Sequence, residues 1–427
     1  MRNGQITIFM IIGIIIILGA GLLIYMASLK PEKAGAETVA GQTLRQSAVQ
    51  PVKDYVNSCL DVVASDALIL VGLQGGRIYV SQGGMTPDPG SAQVGQTYLD
   101  YDDLKLSYLI LAPQGDVGDL FFSDAPKYPW PSFPYDASGN VSELGFYGLS
   151  LLPPLYKKLG PGSIQKQLES YIENNIGQCT DWSDKFPGFE ITTGVPNASM
   201  ILAENLTHLK HEEYISFVLH WPVQITEETS NAKIILDQFS VNYPVAFGRI
   251  YYDVKDILRQ ETENINYQPE TSDNYFITIN RDVSASDDVL VYQDKRYKLK
   301  GKPYEFRIAV KNRVPALYLI DQHAIEQFAY CSGEIIVKFA LDNNKLIAVP
   351  DLEDDDLFPL NLTAIDPDGD IIAFRLKPEQ PKVDEHAVAS YAAQPDKGGL
   401  LFTVYASDDA LEDYQKIRII PKGCVAN

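Results

Sequence analysis

Basic residues are scarce in this 427-residue chain: 35 Lys and Arg stand against 56 Asp and Glu, a net charge of -21. Such a balance repels phosphate backbones and anionic headgroups, and no Lys/Arg cluster interrupts it, so nucleic-acid binding is excluded. Catalytic signatures are absent too: the chain has no G-x-S-x-G, no G-x-x-x-x-G-K-[ST], no G-x-G-x-x-G after a strand and no H-E-x-x-H. Its acids are too numerous for any two to stand out as a glycosidase pair. A non-enzymatic role is the expectation. Histidine is rare, and His208, His211 and Glu212 in NLTHLKHEE would share a face only on a helix, whereas their flanks read as strands. His220, beside Trp221 in an apolar run, reads as a packed residue.

Cysteine is also scarce. Cys59, Cys179, Cys331 and Cys424 show no C-x-x-C spacing, which argues against a zinc knuckle or a redox pair. In an exported protein an even set reads as disulfides, and four cysteines allow about three connectivities. We favour Cys59 with Cys179 and Cys331 with Cys424, since each pair would then bracket one proposed domain. Sequons at Asn140, Asn197, Asn205 and Asn361 would be usable only on the exported side.

What the chain does have is one long apolar run. From Ile6 to Leu29 no residue is charged, and as a helix this segment would cross the ~30 Å hydrocarbon core of a bilayer. It is longer than a secretory signal core, and no A-x-A-like site follows, so a retained anchor is expected. Arg2 faces Lys30 and Lys33 across it, so flanking charge leaves the orientation open.

The order Met1 to Gly4, then Gln5, Thr7 and an apolar helix resembles the class III signal of archaeal type IV pilin-like proteins. That resemblance implies cleavage between Gly4 and Gln5, with the helix kept on the mature chain. Phe9 stands where those peptides carry a Glu that pairs with a neighbouring amino terminus in the filament core.

Residues 31–427 suffice for two or three domains of ~100 to 200 residues. In 31–160 an amphipathic helix is marked by Val52, Val56, Cys59, Leu60, Val63, Ala67 and Leu70, ending near Gly72 and Gly75-Gly76. The stretch from Gly75 to Pro161, rich in Gly, Pro and Tyr, reads as long loops, in which Tyr128, Trp130, Phe133 and Tyr135 beside prolines either pin the loop to its own domain or form a binding surface. In 161–330 a helix capped by Ser163 precedes strands in EITTG, ASMILAE, YISFVLHWPVQIT and AKIILDQFSVNYPVAF. A helix capped by Asp253 and three further strands follow, so the expected class is α+β with an antiparallel meander. The helix ending in GLQGGRIY and the element order after it are similar to anchored surface proteins of small-genome archaea.

In 331–427, D-P-D-G-D before one strand and A-S-D after a late one resemble the cadherin-like or immunoglobulin-like repeat of bacteria and archaea. The resemblance implies a seven-stranded β-sandwich. In extended backbone Asp366, Asp368 and Asp370 would share a face, and three nearby carboxylates repel unless a cation intervenes. Ca²⁺, which takes about six to eight oxygens, suits the cluster, and the resemblance adds Glu353 and Asp408 at the same sandwich end. The L-D-R-E and D-x-N-D-N elements of animal cadherins are not present.

Together these features predict a single-pass membrane protein with most of its chain outside the cell, serving adhesion or envelope structure. Its expected partners are membrane lipid through the first helix, other surface or envelope proteins or glycans, and a second copy of itself. Alternatives are a pilin-like or filament-associated subunit and a ligand-binding receptor ectodomain.

Overall fold

The computed structural model describes residues 46–89, 98–112, 147–182, 185–203, 214–284, 286–318, 335–342, 345–350, 358–378, 389–393 and 400–419. The predicted anchor at 6–29 lies outside them, as do Gly4, Gln5, Asn140, Asn205, Glu353, Cys331, Cys424, His208, His211, Glu212 and the Tyr128 to Tyr135 aromatics.

Three α-helices and many more strands make the described residues an α+β protein. Helix α1 spans Gln46–Leu73, α2 Ile164–Cys179 and α3 Phe247–Glu263. One of them is long and apolar enough to cross a membrane, over Val49–Leu73, but more than half of that window is buried inside the protein, as in a core helix. The described residues divide into two compact units, one from 46–54, 182–195 and 221–237, the other from 55–181, 196–220 and 238–427.

In the first unit β4 (Phe189–Thr193) runs antiparallel to the Val223–Glu227 part of β6 (Tyr214–Glu227). Trp221 is buried beside Trp182, and its indole N–H donates to the Gly194 carbonyl at 2.9 Å.

The second unit is built on a six-stranded mixed sheet. Its strands are β1 (Tyr98–Tyr101), β2 (Leu104–Leu111), β3 (Leu149–Ser150), β8 (Tyr275–Ser284), β9 (Asp287–Leu299) and β10 (Lys302–Val310). The order is β1-β2-β10-β9-β8, with β3 on β2. Neighbours are antiparallel except β2 and β10, which run parallel. The sheet also joins a strand from the 31–160 stretch to one from 161–330.

Strands β1 and β2 replace the loops expected after Gly75. Their signal was weak because LSYLIL, apolar but for Ser107, is buried from Leu106 to Ile110 without alternation, as befits a strand covered on both faces. Helix α1 lies on β10: a methyl group at Gly72 would strike the Glu305 carbonyl. It ends as the glycines predict, for Gly75 and Gly76 take the left-handed conformation and the Gly76 N–H closes onto the Val71 carbonyl at 2.7 Å.

Ser163 caps α2 as expected, accepting from the Lys166 N–H at 3.2 Å. Helix α3 corrects the sequence reading: it starts at Phe247 and Asp253 lies inside it. Phe247, Ile250, Val254, Ile257, Leu258 and Glu261 form one buried stripe, and burying it fixes the start about two turns early. Strand β5 (Asn197–Ala203) pairs with Tyr214–His220 and leaves the sequon residue Asn197 exposed, while β7 (Lys233–Tyr243) also pairs with β6.

The C-terminal strands form smaller sheets. β11 (Ala316–Leu317) pairs with β15 (Ala364–Ile365). β12 (Ile335–Asp342), β13 (Lys345–Pro350), β14 (Phe358–Asn361) and β17 (Ala389–Ala393) make a sheet in the order β14-β13-β12-β17. β16 (Ala373–Pro378), β18 (Leu400–Ser407) and β19 (Glu412–Ile419) make another in the order β16-β18-β19. Asn361 lies in β14.

Candidate functional site: a buried acidic cluster

The three residues that leave β10, Lys311, Asn312 and Arg313, each meet a carboxylate. Lys311 reaches Asp287 at 2.9 Å, and the Asn312 backbone N–H donates to the other oxygen of Asp287 at 2.9 Å. Tyr108 of β2 also donates to Asp287, which raises the phenol well above its ordinary range, through burial first and the carboxylate second.

Arg313 is fully buried and is the centre of the arrangement. Its Nε and Nη2 grip Asp368 Oδ1 at 2.9 and 2.7 Å, while its backbone N–H donates to Asp368 Oδ2 at 2.8 Å. Nη2 also reaches Glu261 Oε2 at 3.1 Å and the Pro367 carbonyl at 2.9 Å. Nη1 donates to the carbonyls of Tyr147 at 2.8 Å and Glu261 at 2.9 Å. Burial lowers the proton affinity of this guanidinium, and the carboxylates of Asp368 and Glu261 more than restore it.

Around this hub the D-P-D-G-D segment turns sharply instead of running extended. Gly369 adopts φ 79° and donates to the Asp366 carbonyl, and Asp366 Oδ1 accepts from the backbone N–H groups of Asp368 at 2.8 Å and Asp370 at 3.1 Å. The three aspartates therefore do not share a face: Asp368 points to Arg313, whereas Asp366 and Asp370 converge with Asp408 from the A-S-D turn. Carboxylate oxygens of these last three lie within 4.8 Å of one another. Glu353 lies outside the described residues.

Two atoms at this convergence stand out. Asp366 Oδ2 is buried without a hydrogen-bond partner, and so is the Asn312 side-chain carbonyl Oδ1, on the amide whose nitrogen donates to Asp408 at 3.0 Å. Asp366 and Asn312 are each 5 % exposed, so water does not readily satisfy either. Arg281 supplies the cation nearest the trio, reaching Asp370 at 3.2 Å, Asp288 at 2.8 Å and the Asp368 carbonyl. The donor set is all oxygen, anionic and partly unspent, which fits a hard divalent cation such as Ca²⁺. Asp366, Asp370, Asp408 and the Asn312 carbonyl would hold it.

Charge crowding also shows in the protonation equilibria. Burial, then the charge of Asp368, pushes Asp366 up to about 7. Burial outweighs the pull of Arg313 and sets Glu261 at about 7, because Asp368 already neutralises that guanidinium. Burial likewise raises Asp288 to about 6. Each folded value lies above its unfolded one, so the folded protein holds more protons than the unfolded chain between roughly pH 4 and 7, and stability falls as pH rises through that window. In chelator, the melting temperature should be several degrees higher at pH 5.5 than at pH 7.5, the reverse of ordinary acid denaturation. A melting curve that falls on acidification across this range would show that the cluster is not strained in this way.

Sequence reasoning missed Arg313, Asn312, Arg281, Asp288 and Glu261. Glu261 alone left a trace, since it falls on the apolar stripe of α3, where an acid needs a buried partner. Compared with known proteins, the chain matches no protein-family model, no curated protein and no solved structure.

Proposed function

We propose that the chain is a membrane-anchored surface protein, non-enzymatic, serving adhesion or envelope structure, and that Ca²⁺ at the acidic cluster stiffens its C-terminal region. The observation that carries the calcium reading is the meeting of Asp366, Asp370 and Asp408 beside two buried, unpartnered oxygens. A divalent cation would satisfy such oxygens and offset the repulsion together. The anchor at Ile6 to Leu29 and the excess of negative charge support an exported location. The four-stranded and three-stranded sheets together number seven strands, as many as a cadherin-like sandwich needs, which supports the reading that they pack face to face. The acidic turns D-P-D-G-D and A-S-D meet the residues that leave β10, and a cation there would tie the C-terminal strands to the six-stranded sheet.

The test is the melting temperature of the full chain in millimolar calcium against chelator. A ligand at about a hundred times its Kd adds ~2.7 kcal/mol, so in a unit of this size calcium should raise the melting temperature by roughly 3 to 5 °C. Asp408→Asn should remove most of the shift. Equal melting temperatures in calcium and chelator would dispose of the calcium reading, and recovery of the full-length chain in the soluble fraction without detergent would dispose of the anchor.

A further inference from the structure

A second site lies elsewhere in the same unit, wholly within the Gly75 to Pro161 stretch. A cavity of about 210 Å³ is walled by Tyr79, Tyr98, Tyr108, Pro87, Pro89 and Leu151, with Arg77 among its lining residues.

Arg77 is unlike the other shielded arginines. Among the described residues, Arg249, Arg281, Arg307 and Arg313 each meet at least one carboxylate. Arg77, only partly exposed, makes a single side-chain hydrogen bond, from Nη2 to the Leu151 carbonyl at 3.0 Å. Its other N–H donors meet no further acceptor among the described residues, and no described carboxylate pairs with its charge although the chain carries a net charge of -21. Burial accordingly lowers its proton affinity. A guanidinium kept in that state presents a planar fork matched to a carboxylate.

The remaining polar side chains of the cavity, the Tyr98 hydroxyl apart, are already occupied. The Tyr79 hydroxyl bonds the Lys105 carbonyl at 2.9 Å and Ser107 at 3.1 Å, Tyr108 bonds Asp287, and Thr86 bonds Gln167 at 2.8 Å. The charges nearby cancel, since Lys311 neutralises Asp287 and Lys105 pairs with Asp100. Among the described residues, what the cavity offers a ligand is therefore ring faces, proline methylenes, the Tyr98 hydroxyl and one guanidinium. A polyhydroxylated sugar would lose hydration there without recovering hydrogen bonds. A flat apolar body bearing one anionic group would not.

We propose that this cavity binds a small aromatic carboxylate, its ring between the tyrosines and prolines and its carboxylate on Arg77. The ligand could be a free aromatic acid or the carboxyl-terminal aromatic residue of a peptide. Saturation-transfer NMR or calorimetry on the full chain in detergent tests this with benzoate, N-acetyl-phenylalanine, benzyl alcohol and acetate. Benzoate or N-acetyl-phenylalanine should bind in the millimolar range or tighter, and whichever binds better identifies the source. Benzyl alcohol, lacking the charge, and acetate, lacking the ring, should each bind at least about tenfold more weakly.

Arg77→Met should lose about tenfold or more in affinity, Arg77→Lys less, because the ammonium keeps the charge but not the fork. Tyr98→Ala, which removes a partly exposed wall, should weaken binding by a similar factor and serves where Arg77→Met does not fold. Failure of both aromatic acids to bind at millimolar concentration, equal binding of benzyl alcohol, or unchanged affinity in folded Arg77→Met would overturn the proposal.

Discussion

Replacing Arg313 by methionine should cost about 3 to 5 kcal/mol, because it leaves Glu261 and Asp368 buried with no cation to answer them. The side chain is wholly enclosed, and each of its donors reaches an oxygen of Tyr147, Glu261, Pro367 or Asp368. Methionine fills the volume but satisfies none of those acceptors. The loss should fall mainly on the two acids, so Arg313→Met combined with Glu261→Gln and Asp368→Asn should recover a large part of it. Denaturant titration of the four combinations measures the coupling. A single-variant cost below about 1 kcal/mol, or no recovery in the triple variant, would mean that the guanidinium does not organise this region.

How much of this was legible beforehand depended on whether a residue's environment is written in its neighbours. Strands β4 to β10 could be read because apolar and polar residues alternate along most of them, as in β7, where burial alternates almost residue by residue. Strand β2 hid itself, since a run buried on both faces has no period. The position of α3 was legible in its apolar stripe but was misplaced by reading Asp253 as a cap. In the structure Asp253 instead accepts from Arg249 at 3.0 Å and Tyr292 at 2.9 Å.

The acidic site divides the same way. D-P-D-G-D announced Asp366 and Asp370, because turn chemistry is local, and Asp408 came only through the family resemblance. Arg313 was invisible, for nothing adjacent to it distinguishes a buried arginine from the exposed kind. It lies 55 residues from Asp368 and 52 from Glu261. Asp368 was consequently assigned to the cation set although the turn directs it to the guanidinium. A sequence motif gives the residue types at a turn, but the direction each side chain takes depends on what the rest of the chain places opposite it.

The pairing of Cys59 with Cys179 was preferred from the sequence and is present, with Cα atoms 5.7 Å apart. It fastens α1 to the end of α2, and Tyr55, one turn before Cys59, donates its hydroxyl to the Cys179 and Asp181 carbonyls at 3.3 and 3.1 Å. Changing both cysteines to serine should therefore destabilise the unit by roughly 4 to 5 kcal/mol, because the bridge closes a span of 120 residues and the chain-entropy relation gives a large value for long loops. Serine is small enough to sit at Cys59, which is 4 % exposed, so packing loss adds little and the effect should appear chiefly as the released freedom of the unfolded chain. Denaturant midpoints of the double serine variant and the wild type, both without reductant, measure it. A difference within about 1 kcal/mol would show that the helices are held by their apolar faces alone, and that Tyr55 with the buried stripes of α1 and α2 already confines the pair.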